Sequence, residues 1–280
     1  MTPLSRRSFL ALSTMLPWAF SARAATSIPV GLEMYSVRNA LKQDPEGTVR
    51  AVAHAGYAGL EFYAPYFDWT EPETKQMRKL LDDLGIRCFS THNSASYFSA
   101  ENLPRARDMN LILGSKYVVM ASSQPKPGLD GWKEVADTLN QAAEQLAPAG
   151  LKAGYHNHQP EFTLVEGRRP IEILAKNTQS SVMLQLDVGT CLEAGGDPAA
   201  WIRSNSGRIR SLHLKDWSPD PAKGYTVLFG EGTADWNSIL AAAESTGGVE
   251  YYLIEQEGSR FPELETVKRC LQAFRTAHPA

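Results

Sequence analysis

The 280-residue chain carries 28 Lys and Arg against 31 Asp and Glu, a formal charge of −3, with 43% hydrophobic and 21% charged residues. That composition excludes a disordered, collagen-like or small disulfide-stapled chain. The lack of a basic surplus argues against nucleic acid as a partner, and no apolar run reaches the roughly 18 residues a membrane span needs. Cys88, Cys191 and Cys270 are odd in number and show no CxxC spacing, so they are read as small buried apolar side chains.

Residues 1–24 stand apart. They hold Arg6, Arg7 and Arg23 and no acidic residue. The twin arginine precedes an apolar segment, Phe9 to Phe20, of signal-peptide length, and Ala22-Arg23-Ala24 places small residues where a signal peptidase reads. This stretch resembles a Tat signal, which implies the Tat translocase as a partner and the periplasm as the destination. Cleavage after Ala24 would remove three arginines and take the formal charge from −3 to −6. Residues 25–280 are then read as one domain.

From residue 28 one pattern recurs: a short apolar or β-branched run, a polar residue, then a helical stretch. The runs are 29–35, 58–62, 86–91, 117–121, 152–155, 182–186, 209–212 and 251–254. Helices are predicted between them, among others at 47–55, 73–84, 131–147 and 236–245, with Asp235 as an N-cap. Gly56, Gly85, Gly114, Gly150 and Gly248 punctuate helix C-termini. Eight strand–helix units in about 250 residues predict a single (β/α)8 TIM barrel of the α/β class. A doubly wound open sheet is the alternative, weakened by the absence of G-x-G-x-x-G after the first strand.

Such barrels carry their active sites at the C-terminal ends of the strands. The residues at those ends are Glu33, Glu61, His92, Ala121, His156, Asp187, His213 and Glu255. Seven of the eight are carboxylates or imidazoles, each from a different unit, a donor set suited to a divalent ion. His156, Asp187, His213 and Glu255 are the ligand candidates, because charged groups ending an apolar strand are costly unless paired or metal-bound. Glu33 is read either as a substrate-binding residue or as an ion-pair partner of Arg38. Alternation puts Lys215 on the side of His213, where it reaches a substrate oxygen or pairs with a carboxylate, and puts Glu257 on the side of Glu255. Trp217 and Phe162 are candidate walls against a sugar face. Gly230-Glu231-Gly232 is read as a flexible loop element that closes over the site.

The segments GYAGLEFY (56–63), AGYHNHQPEF (153–162), LQLDVG (184–189), AGGDPAAWI (194–202), GRIRSLHLKDW (207–217), GEGTADW (230–236) and YLIEQE (252–257) together resemble the xylose isomerase-like TIM barrels, the sugar phosphate isomerase/epimerase superfamily. The resemblance runs over residues 28–275. It implies one divalent metal ion (Mn, Mg, Co or Zn) on His156, Asp187, His213 and Glu255, and a sugar or keto-sugar as the small-molecule substrate. Ketose epimerases of the superfamily carry a Glu where this chain has His156, so a two-glutamate epimerase is not expected.

The expectation is therefore a metal-dependent isomerase-type enzyme that removes a proton beside a carbonyl. The base candidates are His158, Glu257 and Glu61, in that order, with His156 and His158 free to exchange roles; Lys215 and His92 complete the catalytic set. The rivals are a 3-keto-glycoside lyase or hydrolase and a catalytically silent sugar-binding barrel. Assembly as a homo-oligomer stays open.

Overall fold

The computed structural model describes residues 28–246 and 248–279; the signal expected at 1–24 lies outside them. Eight parallel strands close on themselves in chain order: β1 (Val30–Glu33), β2 (Gly59–Phe62), β3 (Arg87–Ser94), β4 (Tyr117–Ser122), β5 (Lys152–His156), β6 (Met183–Asp187), β7 (Ile209–Leu214) and β8 (Tyr251–Ile254). Closure is made by β8 pairing with β1, Val30 opposite Tyr252 and Leu32 opposite Ile254. The predicted barrel is thus the observed architecture, and the open sheet is ruled out.

The outer ring is formed by the helices Pro45–Ala55, Glu71–Leu84, Leu103–Leu113, Leu129–Leu146, Pro170–Asn177, Pro198–Ser204, Trp236–Ser245 and Glu263–Ala277. Local sequence explains their starts. Asp44, Asp197 and Asp235 accept backbone N–H groups two to three residues inside their helices, and Thr70 with Glu73 forms a reciprocal capping box. Gly56, Gly85, Gly114 and Gly150 end helices in the left-handed conformation, as predicted. Gly248 does not: the preceding helix ends at Ser245 with Thr246 as its cap, and Gly248 instead passes close to the backbone of Gly207.

Alternation along the strands separates two environments. Outward-facing residues such as Leu32, Leu60, Val118, Leu184, Leu212 and Ile254 join the helices in the main apolar core. Inward-facing Phe89, Tyr117, Val119, Met183, Tyr251 and Leu253 fill the barrel interior. Phe89 is accommodated because β1 and β2 carry glycine beside it. A Cβ on Gly31 would lie 2.8 Å, and one on Gly59 2.6 Å, from its ring. Above this apolar layer, towards the C-terminal ends of the strands, every inward position on β1, β2, β3, β5, β6 and β7 is polar.

Candidate metal centre and active site

Alternation carries Gln185 and Asp187 on β6, Ser211 and His213 on β7, and Leu253 and Glu255 at the end of β8 to the barrel axis. With His156 from β5, the candidate ligand atoms of Asp187, His213 and Glu255 all lie within 4.8 Å of one another, and all four residues are buried. Asp187 is held on both sides. Its Oδ1 accepts the N–H of Thr190 at 2.9 Å, and its own N–H donates to Asn157 Oδ1 at 3.0 Å. Asn157 Nδ2 in turn donates to Thr190 Oγ1 at 3.0 Å. The H-N-H and L-D-V-G-T segments thereby lock together, which fixes His156 and Asp187 relative to each other.

Two buried polar atoms in this cluster have no hydrogen-bond partner, His156 Nδ1 and Asp187 Oδ2. Leaving such groups unpaired is costly. A divalent ion would satisfy them, since a mixed imidazole and carboxylate set is what zinc, manganese or cobalt takes. Burial, and the neighbouring His213, His92, His158 and Lys215, hold the His156 ring well below the usual imidazole range. It is therefore neutral, the form that ligates. His213 bonds to Glu255 through Nδ1 at 2.5 Å and to Glu61 through Nε2 at 2.9 Å. Burial disfavours its cation, but the two carboxylates outweigh burial and push the ring up to about 10. One of its two protons must leave before that nitrogen can take a metal. The residues fit the group that the resemblance implies.

Lys215 is a second cation in the centre. It is 1% exposed, and its Nζ lies 2.8 Å from Asp187 Oδ2, 2.7 Å from Glu257 Oε1 and 3.3 Å from Glu255 Oε1. The approach to Asp187 is a charge contact rather than an aligned hydrogen bond. Burial works against the ammonium, yet Asp187, Glu255 and Glu257 raise it well above the ordinary lysine range. A Cβ on Gly189 would fall 3.2 Å from the Lys215 stem and 3.1 Å from the Tyr225 ring, so the glycine of L-D-V-G leaves room for this side chain. The ion-pair reading of Lys215 is the one observed, and the paired ammonium faces the site.

The opposite side of the mouth is a closed network. Gln185 Nε2 donates to Glu61 Oε2 at 3.0 Å, so its Oε1 is the atom that meets His92 Nε2 at 2.7 Å. That ring nitrogen must donate, which sets the proton position on His92. Burial raises the Glu61 carboxyl, but His92 and His213 outweigh burial and hold it well below the usual carboxylate range. Burial pushes Glu33 up to about 8 against the pull of His92.

Several expectations are corrected. Glu61 is fully buried, with both oxygens engaged by His92, His213 and Gln185, so it is a support rather than a free base. Glu33 makes no pair with Arg38; it accepts the Tyr35 N–H and faces His92 Nδ1 at 3.4 Å. Phe162 forms no wall at the mouth, because its short helix turns it into the core, 3% exposed, edge-on to Trp201. Gly230-Glu231-Gly232 is pinned rather than loose. Asp216 Oδ2 accepts from Gly230 N, Gly232 N and Trp236 Nε1, and Arg260 grips Glu231 with two hydrogen bonds. Trp217 is half-buried, and its backbone is tied to Asp216 and Thr233. His158 is exposed at the rim, its ring edge-on to His156 with centroids 4.9 Å apart.

Sequence reasoning missed Gln185, Asn157, Glu161 and Tyr225. Gln185 was findable, since it precedes Asp187 by two and so shares its face. Glu161 links Tyr155 Oη at 2.6 Å to the backbone N–H of His158 at 2.9 Å and so positions that histidine. No local signal marks that role.

A closed eight-stranded barrel with a buried imidazole–carboxylate cluster at its mouth defines a TIM barrel with a candidate metal centre. The chain belongs to the xylose isomerase-like TIM barrel family, whose model matches residues 49–277. It is similar to inosose dehydratase of Geobacillus thermodenitrificans, 24% identical over 76% of this chain and 82% of that one. A solved sugar phosphate isomerase/epimerase of Parabacteroides distasonis superposes with a TM-score of 0.76 at 28% identity, covering 94% of this chain and 99% of that chain. The IOLI protein, solved with a bound zinc atom, shares the fold with a TM-score of 0.71 at 16% identity over 89% and 97% of the two chains.

Proposed function

We propose that this protein is a metal-dependent lyase of the dehydratase type, acting on an unphosphorylated keto-sugar or keto-cyclitol. The observation that carries this reading is the Lys215 ammonium, buried in the centre among three carboxylates. Elimination has to expel a poor leaving group and needs a proton donor for it. Isomerisation, the first expectation from sequence, has no leaving group to serve. The zinc in the structurally similar IOLI protein and the name of the dehydratase relative support the same reading.

His156, Asp187, His213 and Glu255 would hold the ion, which when bound would polarise the substrate carbonyl as a Lewis acid. His158, at the rim beside His156, takes the proton α to that carbonyl. The electron pair left on carbon forms the new double bond as the β carbon–oxygen bond breaks. The departing oxygen takes a proton from Lys215, and Glu257 and Asp187 hold the ammonium in place for this transfer. His158 then returns its proton, and Lys215 regains one, through solvent. Atoms and charge balance with the protonated leaving group as the second product: water from a free hydroxyl, or the alcohol of a glycosidic link.

The substrate reading comes from β7 and β8. Barrel enzymes often hold phosphate on the loops that follow these strands. Here the cations of those loops are spent: Arg260 on Glu231 at 2.6 Å and Lys223 near Asp220 at 3.6 Å. We further propose that residues 1–24 export the folded protein to the periplasm.

The test uses metal-loaded protein in deuterated water with inososes and 3-keto glucosides, following the enone by absorbance and deuterium at carbon by NMR. Wild type should form the enone. Lys215→Met should still wash deuterium into the α position but lose enone formation by about 100-fold or more. Interconversion of epimers without an enone overturns the reading.

A further inference from the structure

Four large hydrophobic side chains are markedly exposed among the described residues, and one of them, Tyr35, lies at the barrel mouth just past the end of β1. It is held firmly for an exposed ring. Its N–H donates to Glu33, its carbonyl accepts from Arg38 Nη1 at 3.1 Å, and the Arg38 guanidinium lies 4.5 Å from its ring centroid. Tyr63, two residues past Glu61, stands perpendicular to it at 87° with centroids 5.4 Å apart. Neither phenol oxygen has a hydrogen-bond partner among the described residues. Tyr63 packs by one side against the main core, whereas Tyr35 stands outside it and leaves much of its ring open to solvent.

Its place in the barrel gives it a use. The strand order runs β7-β8-β1-β2 around the mouth. Lys215 follows β7 and its ammonium pairs at 2.7 Å with Glu257, which follows β8, the strand that adjoins β1 and so carries the donor's partner beside Tyr35. His158 follows β5, on the far side of the axis from β1. A substrate whose α proton faces His158 and whose leaving oxygen faces Lys215 would direct the leaving group towards the aromatic corner.

We infer that Tyr35 and Tyr63 form a subsite for a second ring, linked through the leaving oxygen, so that the substrate is a keto-glycoside rather than a free monocyclic ketone. This rests on the proposed lyase reading for its orientation. Perpendicular aromatic rings suit a ring ligand that meets one by its face and the other by its edge, and the two free phenols supply hydrogen bonds.

The test measures binding of methyl and phenyl 3-keto-β-glucoside to metal-loaded full-length protein by calorimetry. The phenyl compound should bind about tenfold more tightly, the scale of one good aromatic contact. Tyr35→Ala and Tyr63→Ala should each bring the ratio of the two affinities towards one, while Tyr35→Phe keeps it. Equal affinities for wild type, or binding of neither compound, overturn the subsite, as does a preference that survives both alanine variants. Deuterium exchange into the methyl compound is read in parallel. Exchange and enone without ring preference removes the subsite and leaves the lyase; ring preference without either leaves the subsite and removes the lyase.

Discussion

Asp187→Asn isolates the metal from the fold. Asn keeps an oxygen where Oδ1 accepts the Thr190 N–H at 2.9 Å, so the turn into the following helix survives. It replaces Oδ2, which faces His156 at 3.8 Å and the Lys215 ammonium at 2.8 Å, with an amide nitrogen that cannot ligate. Lys215 loses one of three carboxylates and keeps Glu257 at 2.7 Å and Glu255 at 3.3 Å. The metal-free variant should therefore lose less than the roughly 3–5 kcal/mol of a fully broken buried pair. The informative quantity is the gain on adding metal. An ion at 100 times its Kd stabilises the native state by about 2.7 kcal/mol. For a chain of this size that raises Tm by roughly 5–10 °C. Differential scanning calorimetry with and without Mn2+ or Zn2+, with metal content measured after dialysis, should show that gain in the wild type and none in Asp187→Asn. Stoichiometric metal and an undiminished gain in the variant would refute the four-ligand centre.

Three further outcomes are expected. His158→Ala should lower turnover about 100-fold while metal content stays at wild-type level, because the residue stands at the rim beside the ligand His156; full activity would move the base elsewhere. Replacing Arg6 and Arg7 together by Lys should leave the precursor in the cytoplasm, and a processed periplasmic form would dismiss the export proposal. The hydrogen bonds from Arg260 hold the Glu231 carboxyl down at about 2. A depressed carboxyl contributes stability above its ordinary value of 4.5, lost as pH falls towards 2. The pair is largely exposed and screened by solvent, so its contribution is small. The Tm difference between wild type and Glu231→Gln should shrink between pH 6 and about pH 3, and a constant difference would show that the pair carries no charge term.

The strands and their ends were legible in the chain because barrel strands obey a simple rule. Each is a short apolar run, and the first polar residue after it lies at the mouth. That rule placed Asp187, His213 and Glu255 correctly without any knowledge of which strands pair. Alternation by two also placed Lys215 and Glu257 inward. Local chemistry marked the helix start at Asp235, while the helices expected from 47 and 73 begin two residues earlier, after the caps Asp44 and Thr70; the similarity of the quoted segments pointed to the family that the comparison bears out.

What the chain could not show is which polar groups spend themselves on each other. Glu61 reads as an available carboxylate until closure of the barrel brings β2 across to His213 on β7, 152 residues away. Glu33 seemed matched to Arg38 by proximity in sequence, but a strand end points its side chain inward, to His92, while Arg38 turns back over Tyr35. The loop at Gly230 looked mobile by composition and is fixed by five donors, four of them backbone N–H groups, converging on Asp216. Phe162 lay beside the ligand motif and left the site because its short helix faces the core. In each case the deciding partner is distant along the chain. A side chain's own type states what it is able to bind, and only the closed barrel decides what stands within 3 Å of it.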